Sequence, residues 1–319
     1  MTGSPYLDWL AGAEEPTRPS VLHPDFGPDL IIGYATGYGP AELACFVSSV
    51  RAHSRAHLAL VASDHPETKS FLKEKGVDHF LAPTPLGWEP HLLIGRFKHY
   101  LPILNAYPAA RRVLITDVRD VAFQGDPFAT GYSDDNAALA LFCETPPGDL
   151  GSHGANPKWL RTLIGAPMAD RFKQSPVVCG GSIMGEPAAV AAMIRQLLAL
   201  CAIQRSGALN GIGADQAALN LIVHWGLANA IAVPNFKRVA TIGYTHPPGV
   251  SKDAILTNPD GTISPIVHQY DRHTAAKQAV EGRWRPDQLP SLARPKLKGW
   301  AKLQERWRKS ITRRLPEWR

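Results

Sequence analysis

Short apolar runs alternate with helical periodicity in the first part of the chain. Residues 29–38 form an apolar run that ends in Gly and Tyr, which predicts a buried strand. From Leu43 onward the apolar positions recur at i, i+3, i+4 and i+7, which predicts a helix. A strand over 56–63, a helix over 65–76 and a strand over 77–83 continue the alternation. This β-α-β-α-β order predicts a parallel sheet with helices on its faces.

The same patterns predict elements in the rest of the chain. An apolar stripe over 91–104 indicates a helix, in which Pro102 should cause a kink. Residues 1–28 are rich in Pro and in small or polar residues, and we expect an irregular N-terminal arm. The remaining predictions are strands at 113–116, 138–144, 177–184, 230–233 and 265–268, and helices beginning at Pro187 and Asp215.

The composition is typical of a globular protein. Of the 319 residues, 45% are hydrophobic and 19% are charged, which excludes a largely disordered, fibrous or coiled-coil chain. No export signal and no uncharged apolar stretch of about 18 residues is visible, so we expect a cytoplasmic protein. The cysteines lie far apart within apolar runs, and we expect reduced core residues at Cys45, Cys143, Cys179 and Cys201.

The positive charge is confined to the C-terminal end. Residues 283–319 carry 12 Lys or Arg and three acidic residues, which leaves a net charge of −3 on residues 1–282 out of the total of +6. An acidic body gives no electrostatic support for nucleic-acid binding, so we expect no nucleic-acid partner.

Within this basic end, residues 296–315 predict an amphipathic helix, with Trp and aliphatic residues at helical spacing among Lys and Arg. Such a helix is typical of segments that lie on an anionic membrane, where each basic residue contributes about 1 kcal/mol. The protein would then be peripheral on the inner face of the membrane. Alternatively, the Trp stripe packs on the body of the protein and leaves the charges in water.

The strongest candidate for chemistry follows the strand at 113–116. Asp117 comes directly after it and Asp120 three residues later, with Arg119 between them. Open α/β sheets bind ligands outside the carboxyl ends of their strands, and two carboxylates there suit Mg²⁺ or Mn²⁺. Both can reach one metal only if the chain turns immediately after Asp117. Otherwise Asp117 caps a turn and Asp120 pairs with a surface cation.

Three further segments carry candidate ligand-binding residues. Asp215 and Gln216 open a predicted helix, where an acid also serves simply to complement the helix dipole. Gly180 and Gly181 interrupt a predicted strand, which indicates a bulge or the close approach of a ligand to the backbone. His268 ends a short apolar run, where a histidine is more often structural than a ligand.

Taken in order, these motifs resemble those of GT-A glycosyltransferases, particularly the retaining lipooligosaccharide galactosyltransferases and the glycogenin-like enzymes. The resemblance covers residues 29–273 and includes a helix bearing Arg96, the Asp-Gln-x-x-x-Asn element at 215–220 and the late His268. Each motif is short, and their order and spacing carry the resemblance.

The resemblance implies an α/β fold of the GT-A (Rossmann-like) type, with a mixed, mostly parallel sheet flanked by helices. The arm at 1–28 would precede a GT-A domain at 29–282, and a basic extension with an amphipathic helix would follow at 283–319. The implied activity is the transfer of a hexose from a nucleotide-sugar donor, with a UDP-sugar favoured, to a glycan or lipid-linked acceptor.

The resemblance also implies a role for each matching residue. Metal ligands for Mn²⁺ or Mg²⁺ would be Asp117, Asp120 and His268, and no organic cofactor is implied. Nucleotide-sugar binding would involve Tyr34, Thr36, Asp64, Arg96, Arg119, Gly180 and Gly181. Catalytic residues beside the anomeric carbon would be Asp215 and Gln216.

At one position the chain departs from the family pattern, which has an acid two residues after the first Asp, where this chain has Arg119. Either Asp120 takes that place, or the site relies less on metal and Arg119 neutralises phosphate. Two other hypotheses stay open. One is a non-catalytic nucleotide-sugar-binding protein of the same fold. The other is a haloacid-dehalogenase-type phosphohydrolase, which would also need an acid at position 119.

Overall fold

The structure is a computed structural model and describes residues 4–12, 26–83, 88–144, 149–202, 213–244, 247–285 and 289–290. The basic segment over 296–315 lies outside these residues, so its amphipathic helix stays a prediction.

The described residues form strands and helices in alternation. The strands are β1 (Leu30–Ala35), β2 (His57–Ala62), β3 (Asp78–Leu81), β4 (Val113–Thr116), β5 (Val121–Phe123), β6 (Leu139–Cys143), β7 (Val178–Gly185), β8 (Ala230–Val233), β9 (Val239–Thr241), β10 (Gly249–Val250), β11 (Leu256–Thr257) and β12 (Ile266–His268). The helices are α1 (Pro5–Ala11), α2 (Pro40–His53), α3 (Pro66–Glu74), α4 (Leu92–Ala106), α5 (Asn156–Ile164), α6 (Ala166–Ala169), α7 (Pro187–Ala202), α8 (Ala214–His224) and α9 (Thr274–Trp284).

The main sheet has seven strands in the order β3-β2-β1-β4-β7-β6-β8. Strands β1 to β4 pair in parallel, β7 pairs antiparallel with β4 and β6, and β8 pairs in parallel with β6. The sheet is therefore mixed and mostly parallel, as predicted. Helices cover it because βαβ connections return each strand in the same direction.

The central strands of the main sheet are buried on both faces, to which successive side chains of a strand point in turn. In β1, Leu30 and Ile32 belong to one core with Phe97 of α4. Ile31 belongs to a second core with Phe46 of α2. This double burial explains why the strands appear in the sequence as continuous apolar runs rather than as alternating ones.

A second, smaller sheet has the order β5-β12-β9. Strand β12 runs antiparallel to β5 and parallel to β9, and Val121 pairs with His268. Only residues 117–120 separate β4 in the main sheet from β5 in the second one. The chain therefore leaves one sheet and enters the other within a single turn.

The N-terminal arm differs from the prediction, because residues 5–11 form α1 instead of irregular chain. Pro5 occupies the first helical turn, where a missing N–H costs no hydrogen bond. Tyr6 is buried, and its hydroxyl donates to the Leu198 carbonyl at 2.7 Å. Lys98 Nζ donates to the Trp9 carbonyl at 2.7 Å. Packing on α4 and α7 holds this segment, and no local pattern in the sequence shows that contact.

Helix α4 lies within two residues of its predicted bounds and contains Pro102, and the kink at Pro102 stays a prediction. Other elements depart from the predictions. The short strands β5 and β9 and the helices α5 and α9 were not predicted from the apolar pattern. Helix α9 extends to Trp284, so the extension predicted from residue 283 begins inside it. Further along, the Pro290 carbonyl accepts a hydrogen bond from the Ala41 N–H at 2.9 Å.

The state of the cysteines and the length of the helices bear on two further expectations. All four cysteines are free and buried, as predicted. Among the helices that the structure describes, none is both long and apolar enough to cross a bilayer.

A buried ion pair joins β9 to the segment before β6. Arg238 is only 1% exposed, and its Nε donates to Asp134 Oδ2 at 2.7 Å. Its other nitrogens donate to Asp135 Oδ1 at 2.5 Å and to the carbonyls of Pro127 and Ala129. Because Asp134 is fully buried, Arg238 supplies the positive charge that compensates this carboxylate.

We expect Arg238→Ala to lower the free energy of unfolding by about 3–5 kcal/mol, because it leaves the Asp134 carboxylate buried without its partner. Urea denaturation followed by circular dichroism measures the change. Arg161→Ala is the matched control, since Arg161 pairs with Asp170 at 3.2 Å and both are more than half exposed. It should cost at most about 1 kcal/mol. Equal losses in the two variants would contradict a structural role for the buried pair.

Candidate functional site

The carboxyl ends of β1 and β4 lie side by side at the centre of the main sheet. The chain proceeds from β1 to β2 on one side, whereas β4 pairs with the other side of β1. Such a reversal of strand order is the place where open α/β sheets bind ligands. Tyr34 and Thr36 lie at the end of β1, and Asp117 follows β4 directly.

Three ligand-type side chains converge at the end of β4. His268 Nε2 lies 3.4 Å from Asp117 Oδ2 and 3.9 Å from Asp120 Oδ1. One ligand atom from each residue lies within 4.8 Å of the others. Ligand atoms that surround one cation at about 2.1 Å are separated by at most about 4.2 Å, so both measured separations fit a shared ion. The predicted convergence of these residues is confirmed.

The turn between the two sheets produces this convergence. Because residues 117–120 bend out of the main sheet at once, Asp117 and Asp120 do not alternate as they would on a continuous strand. The register of the second sheet then places His268 opposite the residue after Asp120. The Gln269 N–H donates to the Asp120 carbonyl at 2.7 Å and fixes this end of β12. Two carboxylates and an imidazole form a donor set that binds divalent cations.

The buried guanidinium of Arg96 connects the cluster of Asp117, Asp120 and His268 with the start of α8. Arg96 Nη1 lies 2.5 Å from Asp117 Oδ1, and Arg96 Nη2 lies 3.5 Å from Asp215 Oδ2. Nη2 also donates to the Gly180 carbonyl at 3.1 Å. Arg96 is 7% exposed, Asp215 is 3% exposed, and the Asp117 side chain is 32% exposed. Asp117 is therefore the member of this group that a ligand reaches from solvent.

Burial and charge act in opposite directions on the pKa values of these acids. Burial raises the pKa of Asp117, but Arg96 and His268 outweigh it and hold that pKa below its ordinary value. Burial raises the pKa of Asp215, and Arg96 offsets only part of the rise. Burial likewise raises the pKa of Asp120, with His268 acting in the opposite direction. Asp117 is thus the acid most strongly held as a carboxylate.

His268 is 1% exposed and lies between two kinds of neighbour. Burial lowers the pKa of His268, but the Cys179 sulfur and the Asp117 and Asp120 carboxylates raise it well above its ordinary value. A cation that binds Nε2 has to displace a proton from this nitrogen. Arg272 Nη2 lies 3.3 Å from Asp120 Oδ2 and supplies further positive charge at the cluster.

Gly181 makes room for the imidazole. A Cβ at this position would overlap His268 Cε1 and would lie 2.8 Å from Asp117 Oδ2. A Cβ on the neighbouring Gly180 would meet Asp215 Oδ2 at 3.5 Å, which is an ordinary contact. The second glycine of the pair is therefore required by the packing of the site, whereas the first is not.

Gln216 belongs to a polar network beside the cluster. Its Nε2 donates to Glu144 Oε1 at 2.8 Å and to Asn156 Oδ1 at 2.9 Å. Its Oε1 lies 3.5 Å from the Gly180 nitrogen. The Asn220 side chain holds α8 against β7 through the Val178 N–H and carbonyl. In the Asp-Gln-x-x-x-Asn element, Asp215 and Gln216 thus lie at the site, and Asn220 anchors the helix.

Other predicted binding residues lie at the edge of the cluster or away from it. The Tyr34 ring stacks on His99 with centroids 5.7 Å apart, and Thr36 is half-buried. Arg119 is exposed and its Nη2 lies 3.5 Å from Asp271 Oδ2 and 3.9 Å from Asp120 Oδ2. Asp64 is exposed and pairs with Lys69, and among the described contacts none joins it to the cluster. Its predicted role in nucleotide binding stays a prediction.

Several residues of the site were not identified from the sequence: Glu144, Asn156, Cys179 and Arg272. Cys179 lies two residues before Gly181, so the alternation of a strand was a signal for it. Arg272 lies in the segment after His268 but carried no spacing signal. Glu144 and Asn156 contact Gln216 across elements far apart in the chain, and no local pattern indicates such contacts.

Comparison with known proteins does not place this chain in a family. No family model matches it, and no curated protein matches it. Its function therefore has to follow from the geometry and chemistry of the site.

We expect Gly181→Ala to weaken the binding of Mn²⁺ by about tenfold or more, because the added methyl group displaces His268 from the two carboxylates. Isothermal titration calorimetry on the purified chain measures the affinity. Gly180→Ala is the matched control on the same strand and should bind Mn²⁺ like the wild type. If both variants bind Mn²⁺ equally well, the tight packing around Gly181 does not position a ligand.

Proposed function

We propose that this protein is a glycosyltransferase that moves a hexose from a nucleotide-diphosphate sugar, with a UDP-sugar favoured, to a glycan or lipid-linked acceptor. The observation that carries the proposal is the convergence of Asp117, Asp120 and His268 at the carboxyl end of β4. This cluster lies where the strand order of the sheet reverses, next to the end of β1. The proposal includes the GT-A form of the α/β fold.

Charge explains how such a site would act on a sugar diphosphate. Cleavage of the bond between the sugar and the diphosphate leaves negative charge on phosphate oxygens. A divalent ion, when bound by Asp117, Asp120 and His268, would supply positive charge to those oxygens. Arg119 is half-exposed beside Asp120 and can reach an anion in the same place. The GT-A enzymes that the chain resembles have an acid where this chain has Arg119. Arg119 thus adds a positive charge at the edge of the cluster, and Asp120 is the second acid.

The opposite side of the cluster would face the sugar. As the bond breaks, positive charge develops on the ring, and a carboxylate or an amide oxygen stabilises it. Asp215 and Gln216 are joined to the cluster through Arg96 and Gly180, so they lie on the far side of the buried guanidinium. Because Gln216 Nε2 already donates to Glu144 and Asn156, its oxygen is the atom oriented towards Gly180 and the site.

A panel of UDP- and GDP-sugars, incubated with and without Mn²⁺, tests the proposal through release of the nucleoside diphosphate. We expect hydrolysis or transfer with at least one donor, and a rate lower by at least about 100-fold in Asp117→Asn, which removes a charged ligand. Asp170→Asn is the control, because Asp170 is an exposed acid paired with Arg161. It should leave the rate unchanged.

Two outcomes of this assay would favour other conclusions. Binding of a nucleotide sugar without turnover, unaltered in Asp117→Asn, would favour a non-catalytic binding protein of the same fold. Hydrolysis of simple phosphate monoesters without any action on nucleotide sugars would favour a phosphohydrolase. The absence of both binding and turnover with every donor would overturn the glycosyltransferase proposal.

We further propose that the segment 296–315 brings the protein to an anionic membrane, where a lipid-linked acceptor would be found. The support is the composition of this segment, in which Lys and Arg alternate with Trp and aliphatic residues.

We expect the full chain to co-sediment with vesicles that contain anionic lipid and not with vesicles of neutral lipid. Raising the salt concentration should weaken the binding, because salt screens exposed charges. Replacing four basic residues by Gln should abolish it: Lys298, Lys302, Arg306 and Lys309. Equal sedimentation of this variant and the wild type would contradict the membrane proposal.

A further inference from the structure

The two ring nitrogens of His268 face different partners. Nε2 faces the Asp117 and Asp120 carboxylates at 3.4 and 3.9 Å. Nδ1 faces the sulfur of Cys179 at 3.7 Å. Cys179 is 4% exposed and His268 is 1% exposed, so water does not compete for this contact. The thiol is therefore the group that the structure offers to Nδ1.

The sulfur of Cys179 acts as a hydrogen-bond acceptor in this pocket. The Gly181 N–H donates to Sγ at 3.4 Å, within the distance expected for a bond to sulfur. Cys179 and Gly181 are two residues apart on β7, so both are directed to the same face of the sheet. The imidazole lies over the position where Gly181 lacks a side chain, with its Nδ1 towards the sulfur.

We propose that Cys179 is a positioning residue: when Nε2 of His268 binds a divalent cation, Nδ1 carries the remaining hydrogen, and the Cys179 sulfur accepts it. This role deepens the proposed function and rests on its metal site. The sulfur itself lies on the far side of the ring from the carboxylates and is not a ligand of that site.

The nitrogen that carries the hydrogen decides which nitrogen of His268 can bind a metal. A neutral imidazole carries one hydrogen, and the nitrogen that lacks it is the one that binds a metal. With the hydrogen on Nε2, the cation would have only the two carboxylates and no nitrogen ligand. In metal sites the hydrogen bond made by the other ring nitrogen sets this tautomer. Here a thiol takes the place that a carboxylate or carbonyl usually fills.

The packing of the ring reinforces the same orientation. Because the backbone of Gly181 lies against His268 Cε1, the ring cannot move towards β7. Its two nitrogens are thus held between the sulfur on one side and the carboxylates on the other. Removal of the sulfur leaves the ring in place but leaves Nδ1 without an acceptor.

The first test examines the ring of His268 by imidazole ¹H–¹⁵N correlation spectroscopy of the full chain with Mg²⁺ bound. The His268 signals are assigned by their loss in His268→Asn. We expect an Nδ1–H signal that is protected from exchange with water in the wild type, because the sulfur accepts this hydrogen, and a shifted, faster-exchanging Nδ1–H signal in Cys179→Ala. A wild-type ring with its hydrogen on Nε2 overturns the proposal, and so does a Cys179→Ala spectrum identical to that of the wild type.

The second test measures Mn²⁺ affinity by calorimetry on the same proteins. We expect Cys179→Ala to bind Mn²⁺ about tenfold more weakly, the lower end of the effect seen when such a partner is removed. Cys179→Ser keeps an acceptor and should recover part of the affinity, and it also serves if the alanine variant fails to fold. Cys201→Ala removes a thiol that is also buried and has no histidine contact among the described residues, and it should bind like the wild type.

The outcomes separate this inference from the proposed function. Equal Mn²⁺ affinity in Cys179→Ala and the wild type overturns the positioning role and leaves the metal site intact. Equal losses in Cys179→Ala and Cys201→Ala also overturn it, because they indicate a general effect on stability. If the wild type binds neither Mg²⁺ nor Mn²⁺, the metal part of the proposed function fails, and the role of Cys179 fails with it.

Discussion

The arrangement of the site depends on one buried cation, Arg96. Its guanidinium lies 2.5 Å from Asp117 and 3.5 Å from Asp215, two acids that come from different elements. Asp215 is buried, and a buried carboxylate is costly unless a positive charge compensates it. Arg96 supplies that charge and also pairs with the partly exposed Asp117. Arg96 in turn depends on α4, whose apolar face packs into the main core. The chemistry of the site thus rests on the burial of a helix.

Around this cation the chain has to bring several distant segments together. The short connection at 117–120 transfers the chain from the main sheet to the second one, and β12 brings His268 back beside it. The second sheet therefore supplies one residue of the cluster and fixes the turn that supplies the other two. Gly181 leaves the space that the imidazole occupies, and Cys179 faces its other nitrogen.

Much of the fold could be predicted from local pattern. Strands β2 and β4 lie within one residue of their predicted ends, because strands buried on both faces form uninterrupted apolar runs. Strand β5 and helix α9 were not predicted, because their apolar patterns are short or weak. The former has only three residues, and the latter has a weak apolar face with only Ala276 and Val280 buried. Tertiary contacts, rather than periodicity, hold such elements.

The sequence by itself determined the type of fold and the identities of Asp117, Asp120 and His268 as candidate ligands, since strand ends and residue chemistry are local properties. Only the tertiary structure decided that these three side chains meet, that Arg96 joins them to Asp215, and that Glu144, Asn156 and Cys179 take part. The physical reason is that the register between two sheets and the depth of burial depend on contacts between residues far apart in the chain. No pattern of neighbouring residues contains that information.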